Sequence, residues 1–590
     1  MCGIFIIVSK KNYLDKKKCL DAVKKLFNRG PDTLKYNFYY KKKLFISNTI
    51  LSITGQSSHN RNLYHSISGK FSISFNGEIY NYKELYNKFL KKHLLRQNFT
   101  DTDVLINLHD VLSKDKIPKL LNGMFAYLIH DLKKKKLSFY NDPQGEKSAY
   151  YFNDENYFII SSTIEAILKF IKDYKIDFST IKKYFYTRHF MPLEDTSFKN
   201  IKLISNGCRL DFDISTNNFS IINYDSPYNW VSKKKYDFFK SLKEKQVVDY
   251  LEKALVKQLK LMIPKVNFGC IASGGIDSTL QARLISCISE PKINLTINHI
   301  GKDKIINSIS NFNSYLSPAI SVKNLSKKQY VQNILKSYRI TSSPLHTHDL
   351  GGRLEIAKIF KKRKCKVFFS ADGCDELFGG QQLYYKLFSK LKKYKHNISP
   401  YSSMKNFNFS NRDKFLYKYS NQLKKYWLKI NKKYNFLGLK EKNIQSSLFL
   451  DYFIQSINVA NRSNDLISCN YSIEPRNVYI QKSILKIIIN LPLKYKINFK
   501  FPDKILKQKF LLKKIFTKNL NKKLIFKKEG FSGFPSSLYK YLTNKSYLRM
   551  EKFLGRDIII NKYNYYDKKN YKRDLNWKLI NVNLFLNKFL

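Results

Sequence analysis

Acidic residues are scarce in this chain of 590 residues: 45 Asp and Glu stand against 107 Lys and Arg, a formal charge of +62. Such an excess on one face would point to a polyanion partner. Here the lysines are spread along the whole chain together with much Asn, Ile, Tyr and Phe, the pattern of an AT-rich coding sequence. Runs such as Lys133 to Lys136 therefore read as solvated faces, and no nucleic-acid partner is expected. Paired cysteine motifs are also missing. Cys2, Cys19, Cys208, Cys270, Cys287, Cys365, Cys374 and Cys469 form no Cys-x-x-Cys pair, which argues against a disulfide framework or a thiolate zinc site and fits a reducing cytosol. No stretch approaches the roughly 18 uncharged apolar residues of a membrane span, and Ile4 to Val8 is too short for a signal peptide. A soluble cytoplasmic chain without a membrane partner is expected. No repeat at solenoid periods is evident.

What the chain does have begins at Cys2, directly after Met1. Removal of the methionine leaves one residue with both a thiol and a free α-amine, so the amine can take the thiol proton before the thiolate attacks a carbonyl. Behind it, in order, come Arg29-Gly30-Pro31-Asp32, Asn76-Gly77-Glu78-Ile79-Tyr80-Asn81, Thr100-Asp101-Thr102-Asp103 and Leu121-Asn122-Gly123-Met124-Phe125-Ala126. An isolated Asn-Gly is most simply a hairpin turn, Cys2 a buried small hydrophobe and Asp101 a helix N-cap. Their order changes the reading.

This series resembles the glutaminase domain of the asparagine synthetase family, the class II glutamine amidotransferases. The resemblance implies that Cys2 attacks the glutamine side-chain amide, releasing ammonia and leaving a glutamyl thioester. Acyl transfer needs two donors converging on the oxyanion, and the resemblance assigns them to the Asn76 side-chain amide and the Gly77 backbone N–H. It places Asp101 and Glu78 near the substrate ammonium, with Leu51 and Ser52 among the glutamine contacts. Phe198 to Gly207 is similar to the family's closing glutaminase segment.

Ser273-Gly274-Gly275-Ile276-Asp277-Ser278 follows the short run Val266 to Ala272 and precedes Leu280, Leu284, Ile285 and Ile288 on one helical face. A glycine-rich turn at a helix N-terminus offers N–H groups to an anion, and two serines add hydroxyls. Without a following Gly-Lys-Ser/Thr it is not a Walker loop. It resembles the pyrophosphate loop of the α-hydrolase ATPases, which cut ATP between the α and β phosphates. Val367-Phe368-Phe369 then leads into Ser370-Ala371-Asp372-Gly373-Cys374-Asp375-Glu376, matching the synthetase half of the same family. The resemblance assigns ATP contacts to Ala272, Ser273, Gly274, Gly275, Asp277, Ser278, Ser370, Ala371 and Asp372. Asp277 and Asp375 become the Mg²⁺ carboxylates. Lys527-Lys528-Glu529-Gly530-Phe531, with Pro535 beyond, resembles the pyrophosphate-binding lysine segment, Lys528 being the matching lysine.

The expected fold is an N-terminal αββα Ntn-hydrolase sandwich (1–210), a linker (211–240) in which Asn217-Asn218, Pro227 and Asn229 interrupt the apolar pattern, and an α/β adenine-nucleotide α-hydrolase-like, Rossmann-like domain (241–590). The implied reaction is glutamine-dependent amidation of aspartate with Mg-ATP, giving asparagine, glutamate, AMP and pyrophosphate. A homodimer stays open. Several positions depart from the family. Ile50 replaces the arginine that clamps the glutamine α-carboxylate, a contact that an alkyl group cannot make; weak glutamine affinity is expected unless Arg29, Arg61 or another cation substitutes. Asn141-Asp142-Pro143-Gln144-Gly145-Glu146-Lys147 alters an Asp-Arg-x-Gly pattern. Asp372 stands where aspartate-using members carry glutamate, as in homologues of surface-polysaccharide pathways, so a sugar acid or another carboxylate is an alternative acceptor. An ammonia-using synthetase is a second alternative. Asn461 to Arg476 is a loose match to a segment that helps build the synthetase pocket. His346-Thr347-His348-Asp349 lacks further ligands at a recognised spacing and is assigned no metal.

Overall fold

The computed structural model describes residues 2–55, 62–93, 99–186, 190, 193–299, 309–380, 414–502, 506–525, 536–541, 543–555 and 568–590. The first half contains β1 (Gly3–Ser9), β2 (Thr33–Tyr39), β3 (Leu44–Ile50), β4 (Tyr64–His65), β5 (Phe71–Ile79), β6 (Gly123–Asp131), β7 (Lys136–Asn141), β8 (Tyr150–Asn153), β9 (Tyr157–Ser161), β10 (Ile201–Leu203), β11 (Cys208–Asp213) and β12 (Phe219–Asn223). They form two six-stranded antiparallel sheets, ordered β10-β8-β9-β1-β3-β2 and β12-β11-β7-β6-β5-β4.

Side chains alternate across each strand, and this decides the layering. Ile4, Ile6 and Val8 of β1 meet Ala126, Leu128, Phe139 and Leu210 of the second sheet. Phe5 and Ile7, on the opposite face, pack with Cys19, Ala22 and Val23 of the helix Lys16–Val23 and with Ile164 and Ile167 of the helix Ile164–Ile171. The outer face of the second sheet, with Ile73, Phe75, Tyr127 and Ile129, is covered by Val104, Leu105 and Leu108 of the helix Asp101–Val111. The result is helix, sheet, sheet, helix, as expected. β1 is apolar on both faces because both are covered.

The second sheet continues past residue 210, where this half was expected to end. β11 and β12 form a hairpin whose Phe212 and Phe219 pack on Phe158 at centroid distances of 4.3 and 5.4 Å. Asn217, read as a linker breaker, takes the left-handed backbone (φ 58°) that turns this hairpin. The remainder of the expected linker is a turn at Pro227–Trp230 and the helix Lys233–Ser241.

In the second half, β13 (Phe268–Ile271), β14 (Ile293–His299), β15 (Ile320–Leu325), β16 (Val367–Phe369) and β17 (Glu474–Arg476) form a parallel sheet ordered β15-β14-β13-β16-β17. The chain moves outward from β13 to β15, then returns to lay β16 on the other side of β13. Where strand order reverses in an open α/β sheet, the carboxyl ends leave a crevice for ligands. The loops 272–275 and 370–373 leave β13 and β16 at that crevice. Among the described residues no helix is long and apolar enough to cross a membrane.

Gly269 of β13 permits the close approach of the helix Leu350–Lys362: a Cβ there would lie 2.3 Å from the Phe360 ring. Gly269→Ala is expected to destabilise the protein by about 1–3 kcal/mol through overpacking, read as a lower urea midpoint at unchanged slope.

Candidate active sites

Cys2 immediately precedes β1, so its position is fixed by a central strand of the first sheet, paired with β3 and β9. Its nitrogen, an α-amine once Met1 is removed, donates to Asn76 Oδ1 at 3.0 Å. That bond turns the other end of the amide outward: Asn76 is fully buried and its Nδ2 has no hydrogen-bond partner. A buried donor left unpaired costs free energy and marks a place where a ligand atom belongs. Burial raises the Cys2 thiol above its usual range, while the N-terminal charge and a backbone hydrogen bond from Leu51 pull the other way.

Asn76 and Gly77 sit inside β5, opposite Ala126 and Phe125 of β6, and not at a hairpin turn. A side chain at Gly77 would place its Cβ 2.1 Å from the Met124 carbonyl oxygen. Cys2, Leu51, Ser52, Gly77, Glu78 and Asp101 line a single cavity. Asp101 opens its helix behind the Thr100 cap, and its carboxylate accepts from the Ile79 and Thr102 amides at 3.1 and 2.9 Å. Glu78 accepts from Thr54 Oγ1 at 2.5 Å and pairs with Arg476 at 3.3 Å. Burial raises both acids, Asp101 further because Glu78 repels it. Two buried acids in one cavity favour a bound ammonium.

Ile50 also lines the cavity, so no guanidinium enters from that position. Arg29 does not substitute for it: Nε donates to the Cys2 carbonyl at 3.2 Å and Nη2 to Asp465 at 3.0 Å. Arg61 lies outside the described residues. Lys35 is buried, lies opposite Asn48 in register, and holds its ammonium 4.6 Å from the ring of Tyr64, another lining residue.

At the crevice of the parallel sheet, Gly274 adopts φ 74° and the Ser273 amide donates to Ser278 Oγ at 3.1 Å, closing the loop ahead of the helix Ile276–Ser286. Asp277 and Asp375 converge on Lys509, whose ammonium bonds the former and lies 2.6 Å from the latter. A Cβ on Gly380 would lie 2.0 Å from Lys509 Cε, so that glycine makes the approach possible. Asp277 Oδ1 is buried without a hydrogen-bond partner. Two convergent carboxylates with an unused oxygen suit Mg²⁺, which takes few protein ligands and completes its shell with phosphate and water.

Asp372 receives Arg353 at 3.0 and 3.2 Å and Asn464 Nδ2 at 2.5 Å. Burial alone would raise this carboxyl, yet the guanidinium and these bonds hold it below the usual range. Asn477 Nδ2 donates to the Asp372 carbonyl at 2.6 Å, Tyr479 to the Asp277 carbonyl at 2.9 Å, and the Ser370 amide to the Arg476 carbonyl at 2.9 Å. Ala272 is buried at the loop entrance and Ala371 packs against the same core. Lys528 falls outside the described residues. His346 is buried, bonded to Ser463 at 3.0 Å and pushed down to about 3 by burial, so it stays neutral. Among the described residues no cluster of three or more His, Cys, Asp or Glu could hold a metal.

Residues 1–225 match the model of the glutamine amidotransferase domain and residues 247–587 that of asparagine synthase. The chain belongs to the asparagine synthase family. The asparagine synthetase [glutamine-hydrolyzing] 1 of Bacillus subtilis is 27% identical over 65% of this chain and 59% of its own length. A Methanocaldococcus jannaschii protein named for the same activity is 25% identical over 64% of this chain and 69% of its own. A solved glutamine phosphoribosylpyrophosphate amidotransferase from B. subtilis covers 45% of this chain and 60% of that one, at 14% identity and a TM-score of 0.29; the fold description rests on the sheet topology alone.

In this asparagine synthase family chain, sequence reading missed Lys509, Arg353 and the role of Arg476, since a cation's partner is set by residues hundreds of positions away. The structure explains the altered loop after β7: Asp142 accepts from the amides of Phe125, Glu146 and Lys147 at 3.3, 3.0 and 3.0 Å, so the acid caps the loop by itself. Glu146 accepts from Gln481 of the second half at 2.9 and 3.1 Å, and burial next to Asp142 pushes it up to about 8. Its folded value exceeds its unfolded value near 4.5, so the folded form holds the proton longer. The stability it contributes is complete below about pH 4.5 and disappears as pH rises through about 8. Glu146→Gln, neutral throughout, is expected to be more stable than the wild type at pH 8 by a few kcal/mol, about 1.4 kcal/mol for each pH unit between the folded and unfolded values, and to lose that advantage at pH 5. Paired urea titrations at the two pH values check the sign.

Proposed function

We propose that this chain makes asparagine from aspartate, with glutamine as nitrogen donor and ATP as activator. The observation that carries the reading is the half-satisfied Asn76 amide: one end fixes the Cys2 nitrogen, and the other presents an unpartnered donor beside the nucleophile. The Cys2 thiolate attacks the glutamine amide carbon while its α-amine takes the thiol proton. Asn76 Nδ2 and the Gly77 N–H hold the oxyanion, the C–N bond breaks and ammonia leaves with that proton. Water hydrolyses the thioester to glutamate. Glu78 and Asp101 receive the substrate ammonium. We assign the α-carboxylate to Lys35, in place of the arginine that Ile50 displaces.

At the second site the loop 273–278 cradles the phosphates, and Asp277 and Asp375 would hold Mg²⁺, which supplies charge neutralisation between the phosphate oxygens. Lys509 shares that task as a fixed cation. The acceptor carboxylate displaces pyrophosphate from the α-phosphorus, and ammonia then displaces AMP from the acyl-adenylate. Asp372, kept ionised by Arg353, faces the acceptor and favours an acceptor ammonium such as that of aspartate. The same shortened, Arg-bound acid favours a second reading, amidation of another carboxylate such as a sugar acid. All eight cysteines are unpaired, which supports a reducing, cytoplasmic setting.

With Mg-ATP, aspartate and amide-labelled glutamine, the expected products are labelled asparagine and AMP, lost in Cys2→Ala and restored by ammonium. No asparagine with either nitrogen source, alongside ATP cleavage on another carboxylate, would move the acceptor to the second reading. Lys35→Met is expected to raise the KM for glutamine by about tenfold or more, in line with the loss of a charge-assisted contact, without changing the KM for ammonium.

A further inference from the structure

Asp465 lies in the second half, on the helix Arg462–Cys469, yet its carboxylate reaches cations of the first half. Arg29 Nη2 is 3.0 Å away and Lys147 Nζ 3.9 Å. Arg29 is 3% exposed and Asp465 not at all. The far side of the same guanidinium donates from Nε to the carbonyl of Cys2 at 3.2 Å. A chain of two contacts therefore runs from a synthetase-side carboxylate to the backbone of the nucleophile itself.

The bland account is that this buried pair only joins the two halves. Buried ion pairs contribute little net stability against apolar residues of the same shape, because desolvation offsets their attraction. What they supply is geometry. Arg29 has one donor on the nucleophile's peptide and another on an acid whose own position is set from both sides. Ser463 bonds His346 at 3.0 Å, and Asn464 donates to Asp372 at 2.5 Å while accepting from Arg353 at 2.6 Å. The helix carrying Asp465 is thereby anchored at the proposed acceptor site, one residue from the contact that aims Arg29.

We infer that Asp465 is a positioning residue for glutamine hydrolysis, contributed by the ATP-binding half: through Arg29 it fixes the Cys2 carbonyl and with it the direction of the thiol. This rests on Cys2 being the nucleophile, as proposed above. Displacing a reacting atom by about 1 Å can cost up to a hundredfold in rate, and a positioning loss falls on kcat because no glutamine contact is removed.

The test is steady-state glutamate release from glutamine by the full chain, comparing wild type, Cys2→Ala, Asp465→Asn and Asp465→Glu. Asp465→Asn keeps the shape and removes the charge that aims Arg29. Its kcat is expected to fall about tenfold or more with KM within twofold, and Asp465→Glu to fall between it and the wild type. Wild-type kcat in folded Asp465→Asn overturns the inference alone, as does a rise confined to KM. If Asp465→Asn does not fold, Asp465→Glu decides: a reduced kcat at unchanged KM supports the inference, and an unchanged kcat overturns it. Wild type without Cys2-dependent hydrolysis overturns the nucleophile assignment and this inference together.

Discussion

The arrangement of both sites depends on one buried cation. Arg476, 1% exposed, ends β17, the edge strand of the parallel sheet that meets the first half. A guanidinium there must have its charge balanced by neighbouring acids or the burial is prohibitive. Glu474 pairs with it at 2.9 Å, Glu78 of the first half at 3.3 Å, the Met262 carbonyl takes Nη1, and the Tyr80 ring stacks at 5.4 Å. Glu78 and Tyr80 flank the end of β5, next to Asn76 and Gly77, while the backbone carbonyl of Arg476 receives the Ser370 amide at the end of β16. Satisfying one charge thus links the cavity beside Cys2 to the crevice of the parallel sheet.

The residues that follow continue the same stitching. Asn477 holds the Asp372 loop, Tyr479 the Asp277 turn and Gln481 the Glu146 loop across the interface. A short stretch of chain therefore touches the loops that follow β16, β13 and β7 in turn. Of these, only the Gln481–Glu146 contact crosses between the halves, and sliding either half would leave that buried partner unmade, at a cost of about 1–3 kcal/mol. The charge balance of the interior is correspondingly tight. Asp101 accepts from backbone amides and Glu78 shares Arg476 with Glu474, whereas Asp277 and Asp375 meet Lys509 and Asp372 meets Arg353. The first pair lines one cavity. In the second group Arg353 holds the Asp372 carboxyl below the usual range against the effect of burial.

Much of this was legible in the chain. Cys2, the Asn76-Gly77 pair and the Ser273 loop are local signals: a cysteine directly after Met1, a side chain and a missing Cβ on adjacent residues, and a glycine-rich turn between strand and helix. The sandwich came with the family resemblance; β1 shows an apolar set on each face, whereas β5 sets Ile73 and Phe75 against Ser72 and Ser74. The second sheet runs on past the expected boundary at 210, since Asn217-Asn218 signals a turn without saying whether the turn joins two domains or two strands of one sheet. Ile50 announced that a clamp was gone, but the alkyl side chain carries no information about what replaces it.

By itself, then, the sequence determined the strand–loop–helix around Ser273 and the motifs that carry the family resemblance, and with it the expected layer order of the first half, because these rest on residue type and spacing along a few consecutive positions. Only the tertiary structure decided which charges meet. That Arg29 reaches Asp465, that Lys509 joins Asp277 to Asp375, and that Arg353 claims Asp372 are consequences of where parallel strands and their helices bring distant segments. A buried ion selects its partner by distance and desolvation in the folded interior, and neither quantity is written in the local pattern of the chain.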